Sequence, residues 1–138
     1  MSETIENLSK EYIQAFRQKN LLELENLFAD NIRVVDWEID IQGKQTVLNE
    51  LKRVFSSIKD LEIPGEIISA ASSENIVYVE LKIQPGIEET LHLLDVITFN
   101  DDNKIVEVHG HKIKDVSRDV MYKKKLAEYR KRDPFIYR

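Results

Sequence analysis

The apolar positions of this 138-residue chain change period once along its length. Ile5, Leu8, Tyr12, Ile13 and Phe16 recur at helical spacing and predict an amphipathic helix over residues 3–19. After Lys19-Asn20, Leu21, Leu24, Leu27 and Phe28 repeat the pattern in a second helix over 21–30, closed by Asp30-Asn31. Residues 32–41 read as a strand and Gln42-Gly43-Lys44 as a turn. Val47, Leu48, Leu51, Val54, Phe55 and Ile58 then mark a third helix over 43–58.

Beyond residue 60 the pattern is that of strands. Residues 63–70, 76–83, 89–99 and 104–113 are separated by Ser72-Ser73-Glu74-Asn75, Pro85-Gly86 and Asn100-Asp101-Asp102-Asn103. Short polar turns between successive strands predict an antiparallel meander. Helices first and strands afterwards indicate an α+β fold rather than βαβ alternation. Residues 115–131 are only partly periodic and are expected to form a last helix, limited by Asp133-Pro134. The expected organisation is one domain over 1–113 and a basic C-terminal extension over 114–138, helical and packed on the domain or its dimer.

Composition narrows the possible chemistry. Cysteine is absent, which excludes disulfides, thiolate metal sites and a cysteine nucleophile. The polar N-terminus lacks an apolar signal core, and no apolar run approaches the ~20 residues that span a bilayer. A soluble, cytoplasmic protein with no membrane partner is the expectation. The net charge of −5 is unevenly placed. Residues 112–138 carry ten Lys and Arg against four Asp and Glu, a net of +6, which leaves the first 111 residues at −11. Tyr122, Tyr129, Phe135 and Tyr137 lie among those cations, a pattern also found in nucleic-acid-binding tails. The acidic body would repel a polyanion, so a tail folded over that body is favoured and a nucleic-acid partner is not expected.

Two acids stand out against apolar surroundings. Asp95 lies in Leu93-Leu94-Asp95-Val96-Ile97-Thr98-Phe99, and Asp36 in Ile32-Arg33-Val34-Val35-Asp36-Trp37. A carboxylate in such a strand must be solvated, paired or kept protonated, because burying a bare charge costs several kcal/mol. Either acid alone fits a strand end facing water equally well. Together they point to a pocket.

The stretch from Glu11-Tyr12-Ile13 through Leu27-Phe28-Ala29-Asp30-Asn31 to Val35-Asp36 resembles the opening of the ketosteroid isomerases. Leu93 to Asp101, followed by Lys104-Ile105, is similar to their late strands and to those of SnoaL-like polyketide cyclases. The resemblance covers residues 5–113. It implies the cone-shaped nuclear transport factor two-like (cystatin-like) fold, with N-terminal helices on a curved antiparallel sheet. It also implies roles for Tyr12, Asp36 and Asp95. Asp36 would be a general base, with Tyr12 and a protonated Asp95 donating hydrogen bonds to an enolate oxygen. Phe16, Phe28, Trp37, Phe55, Leu93, Ile97 and His109 would line the pocket, and His111 would shuttle protons.

The chain departs from the isomerases where they carry further tyrosines, since Phe28 and Leu51 stand there. It also has Trp37 after Asp36, and Val108-His109-Gly110-His111-Lys112 where they place aromatic residues. A metal site built on His92, His109 and His111 lacks the spacing of a catalytic zinc set, and no cofactor is expected. Two functions fit this reading. One is a cofactor-independent isomerase, cyclase or dehydratase acting on a small apolar or carbonyl-bearing molecule. The other is a non-catalytic ligand-binding or dimeric scaffold protein. His92, Leu94, Val96 and Thr98 form the face opposite Asp95, with Ile76 and Tyr78 beside them, and that largely apolar face predicts a homodimer.

Overall fold

The computed structural model describes residues 2–115. The extension expected to be helical therefore lies outside the described residues. Three helices come first: α1 (Ser2–Arg17), α2 (Leu21–Leu27) and α3 (Lys44–Ser57). The strands are β1 (Phe28–Val35), β2 (Asp40–Gln42), β3 (Gly65–Ser73), β4 (Ile76–Ile83), β5 (Leu91–Phe99) and β6 (Ile105–Asp115). They form one open, curved sheet in the order β2-β1-β6-β5-β4-β3. The helices cover one face of it. This is the α+β architecture predicted by the change of hydrophobic period. No helix among the described residues is long and apolar enough to cross a membrane.

The meander from β3 to β6 is antiparallel throughout. The sheet as a whole is mixed, because β1 runs parallel to β6. That pairing follows from the chain's path: β1 is inserted beside the last strand after two helices, so no hairpin dictates its direction. The early strand also differs from the expected span 32–41. It begins at Phe28, breaks after Val35, and returns as the short antiparallel β2. Phe28 satisfies the helical spacing of α2, yet its backbone pairs with Ile105. Asp30 and Asn31 are exposed at an irregularity in that pairing rather than at a helix end.

Each helix buries the face its spacing predicts. Ile5, Tyr12 and Ile13 of α1, Leu24 and Leu27 of α2, and Val47 and Phe55 of α3 are buried. They meet Val77, Val79 and Leu81 of β4, Leu91, Leu93, Ile97 and Phe99 of β5, and Ile105 and Val108 of β6 in one core. Asn20 starts α2 by accepting the Glu23 amide at 3.1 Å. On β5 the odd residues 91–99 face the helices and the even ones face outward, so Asp95 joins the helix-facing row.

Candidate functional site

Between α1, α3 and the sheet lies a cavity of about 480 Å³. That is ample for a small organic ligand. Its walls are mainly aliphatic: Leu51 and Val54 of α3, Ile63, Leu81 and Ile83, and Leu91 and Leu93. Tyr12, Asp36 and Asp95 all open onto it, from α1, the end of β1 and the middle of β5.

Tyr12 is buried beside Phe28, with ring centroids 6.0 Å apart. Burial raises the pKa of its hydroxyl well above the ordinary tyrosine value, and the charges of Asp95 and then Asp36 add to that. Tyr12 is therefore a hydrogen-bond donor throughout the physiological range. Asp95 is half-buried, open to the cavity but enclosed by protein elsewhere. Among the described residues nothing donates a hydrogen bond to its carboxyl. Burial pushes its pKa up to about 7, with the Asp36 charge contributing. A substantial fraction is thus protonated near neutrality and able to donate.

Asp36 occupies the β1–β2 turn. Its Oδ1 accepts the amides of Glu38 at 2.7 Å and Ile39 at 2.9 Å, and its own amide donates to the Ile39 carbonyl at 2.9 Å. The turn thereby fixes the side chain and leaves Oδ2 outside these bonds. Gly110 of β6 pairs with Asp95 and lies between the two acids. A Cβ built on it would sit 3.3 Å from Asp95 Oδ1 and 3.5 Å from Asp36 Cβ. Laid end to end, those distances bound the separation of Asp95 Oδ1 and Asp36 Cβ at 6.8 Å.

Of the expected lining residues, Phe16, Trp37 and Leu93 open onto the cavity. Phe28 lies behind Tyr12, and Phe55 lies behind Phe16 in an edge-on contact at 5.3 Å. Ile97 is fully buried in the core beneath the site. Neither Phe28, Phe55 nor Ile97 reaches the cavity surface, so these three are supports rather than walls. Trp37 and Phe55 do not fill the space.

The histidines are a correction. Val108, Gly110 and Lys112 of β6 face the cavity, so strand alternation turns His109 and His111 to the opposite face. There the two imidazoles stack at 4.2 Å, and His111 is exposed. His111 is not placed to shuttle protons in the cavity, and His109 does not line it. His92 also faces outward, toward Glu80 at 3.6 Å. Among the described residues no cluster of His, Asp and Glu is arranged to hold a metal. Arg33 lies within β1. It faces away from the cavity and forms a two-pronged pair with Asp40 at 2.9 and 2.7 Å.

Of the cavity residues not anticipated from the sequence, two sit beside the acids and Trp37. Lys112 holds its ammonium 4.9 Å from the centre of the Trp37 ring, a cation–π contact at the rim. Gly110 forms the floor between the acids. Both share the parity of Val108 along β6, so alternation from a single buried residue would have found them.

The comparisons with known proteins agree with this fold. No curated protein matches the sequence. Among solved structures, a candidate ketosteroid isomerase from Kribbella flavida superposes with a TM-score of 0.70 at 14% identity, covering 82% of this chain and 80% of that one. A SnoaL-like protein of unknown function from Burkholderia thailandensis gives 0.71 at 18% identity, covering 83% and 98%. An LEH-like epoxide hydrolase from M. tuberculosis gives 0.69 at 11%, covering 80% and 79%. At these identities the likeness is one of fold. The model of the SnoaL-like domain matches residues 9–108, and the chain, whose helices over an open sheet form the nuclear transport factor two-like fold, belongs to the SnoaL-like family.

Proposed function

We propose that the protein is a cofactor-independent enzyme that moves a proton next to a carbonyl group of a small, largely apolar molecule, as an isomerase, cyclase or dehydratase. The observation that carries the reading is the meeting of Tyr12, Asp36 and Asp95 on one open cavity. Proton abstraction needs a base and donors for the oxygen on which charge develops. Asp36 is the base, acting through Oδ2 while Oδ1 is held by the turn. The carbonyl oxygen sits toward Tyr12 and Asp95. Tyr12 keeps its proton because burial disfavours the phenolate, and Asp95 holds a proton far more readily than an ordinary aspartate for the same reason. The aliphatic walls take the ligand's body and exclude water. The protein acts as a homodimer.

The test is deuterium uptake from D₂O at the α-carbon of a cyclic ketone such as 2-indanone, followed by NMR. The wild-type protein is expected to catalyse uptake. Asp36→Asn is expected to lose about 10²–10⁴-fold of the rate while still binding the ketone. Tyr12→Phe is expected to lose about 10²–10³-fold, the scale of one oxyanion donor. Uptake no faster with wild type than with Asp36→Asn would refute catalysis at this site. A second reading, a ligand-binding protein without catalysis, is favoured by one observation: Asp36 already has a structural task in the β1–β2 turn. Binding of the ketone without deuterium uptake would decide for it.

A further inference from the structure

The chain contains four glycines, and two have evident structural reasons. Gly43 takes a φ of +99°, which side chains rarely adopt. A Cβ on Gly65 would lie 2.5 Å from the Lys82 carbonyl oxygen, a clash with backbone. Gly86 lies exposed in the β4–β5 connection, with only the Glu89 side chain near its Cβ position. Gly110 fits none of these descriptions. Its φ lies outside the left-handed range. It sits within β6 where the pairing with β5 runs unbroken from Leu93↔Lys112 to Thr98↔Glu107, so no bulge requires it. Glycine inside a strand weakens it through backbone entropy and a missing side chain.

What a Cβ at Gly110 would meet is the site itself: Asp95 Oδ1 at 3.3 Å, Asp36 Cβ at 3.5 Å and Trp37 Cζ3 at 3.9 Å. The first contact is tighter than side chains normally accept, and the group that must yield is a carboxyl, not backbone. We infer that Gly110 is a positioning and specificity-determining residue: its missing side chain keeps open the slot between Asp36 and Asp95 into which the ligand's polar end fits. The slot is the part of the cavity where both acids reach the same small group. A methyl there displaces Asp95 and closes the slot, while the aliphatic walls farther out are untouched. The inference about the slot's occupant rests on the proposed function; the positioning of Asp95 does not.

The groups that interact electrostatically with Asp95 are Asp36 at the end of β1 and Tyr12 of α1; Glu38, Glu50, Glu89 and Lys112 line the same cavity, and Val79, the β4 neighbour of Asp95, is apolar. The experiment compares wild type with Gly110→Ala in three measurements. Thermal unfolding shows whether the glycine serves the strand. The Asp95 carboxyl is titrated by ¹³C NMR. Binding of 2-adamantanone is followed by fluorescence of Trp37, the only tryptophan in the chain and a residue of the cavity rim. Gly110→Ala is expected to melt within a few degrees of wild type. Its Asp95 titration is expected to move upward, since a methyl group takes water from the carboxyl. Ketone binding is expected to weaken about tenfold or more. An unchanged titration and unchanged binding overturn the inference. So does a large loss of thermal stability, which would show that the glycine is needed by the strand. If the ketone fails to perturb Trp37 in wild type, the slot's ligand and the proposed function fall together, and the Asp95 titration still decides the positioning role.

Discussion

Asp95 shows how one residue couples stability to function. Its pKa rises from 3.8 to about 7 because burial disfavours the carboxylate and Asp36 adds a like charge. Between those two values the folded protein binds a proton that the unfolded chain has released. Stability contributed by this group is therefore greatest at and below the ordinary value of 3.8, falls as pH rises to about 7, and is level above that. The loss amounts to a few kcal/mol, since each tenfold change in proton affinity is worth about 1.4 kcal/mol. Asp95→Asn removes the titration and keeps a hydrogen-bond donor in the same place. The difference in unfolding free energy between the two proteins, measured in denaturant from acid to slightly alkaline pH, is expected to grow in favour of the variant as pH rises. A difference independent of pH would mean that Asp95 titrates normally. Such a residue is retained at a cost, which fits a polar site and not a core position.

At the scale of elements, legibility followed periodicity. The spacing of Ile5, Tyr12 and Ile13, and of Val47 and Phe55, located α1 and α3 to within two residues, and Ile76–Ile83 emerged as β4 with both ends correct. The early strand was harder, because Phe28 fits both the helical stripe of α2 and the pairing with Ile105. Its direction depended on β6, far along the chain, and nothing local encodes that. The acids of the site were visible as charges among aliphatic residues. His109 and His111 misled because they too are polar in a strand, and only the parity set by Val108 assigns them outward. Asp36 carries a prediction at this scale. Its Oδ1 satisfies two amides of the β1–β2 turn, a task that the Asn side-chain carbonyl performs equally well. Asp36→Asn is expected to unfold with nearly wild-type free energy, whereas Asp36→Ala is expected to lose about 1–2 kcal/mol for the unsatisfied donors. Equal stability of the two variants in urea would show that the turn holds without the side chain, and would free Asp36 for a purely chemical role.

At the scale of the molecule, the sheet has a face that the helices leave uncovered. Helix-facing alternation on β4 and β5 turns Ile76, Tyr78, Leu94 and Val96 outward in adjacent positions, Tyr78 opposite Val96 and Val96 opposite His109. Tyr78 is 41% exposed, and the stacked pair of His109 and His111 adjoins the patch. An apolar patch of this kind on a small acidic domain is the usual mark of an interface. A second copy is the natural occupant, since a two-fold axis sets the same patch against itself. The interface would need to bury roughly 1,200–2,000 Å² to be stable at micromolar concentration. It lies on the opposite side of the sheet from the cavity, so assembly and ligand binding should be separable. Wild type is expected to sediment at twice the 16.2 kDa chain mass. Val96→Asp, which places a charge at the centre of the patch, is expected to sediment at the chain mass while its Trp37 fluorescence still responds to ketone. A wild-type protein that stays monomeric at micromolar concentration would leave this face to some other partner. A monomeric Val96→Asp that no longer binds ketone would show instead that β5 transmits the state of its outer face to Asp95 on the inner one.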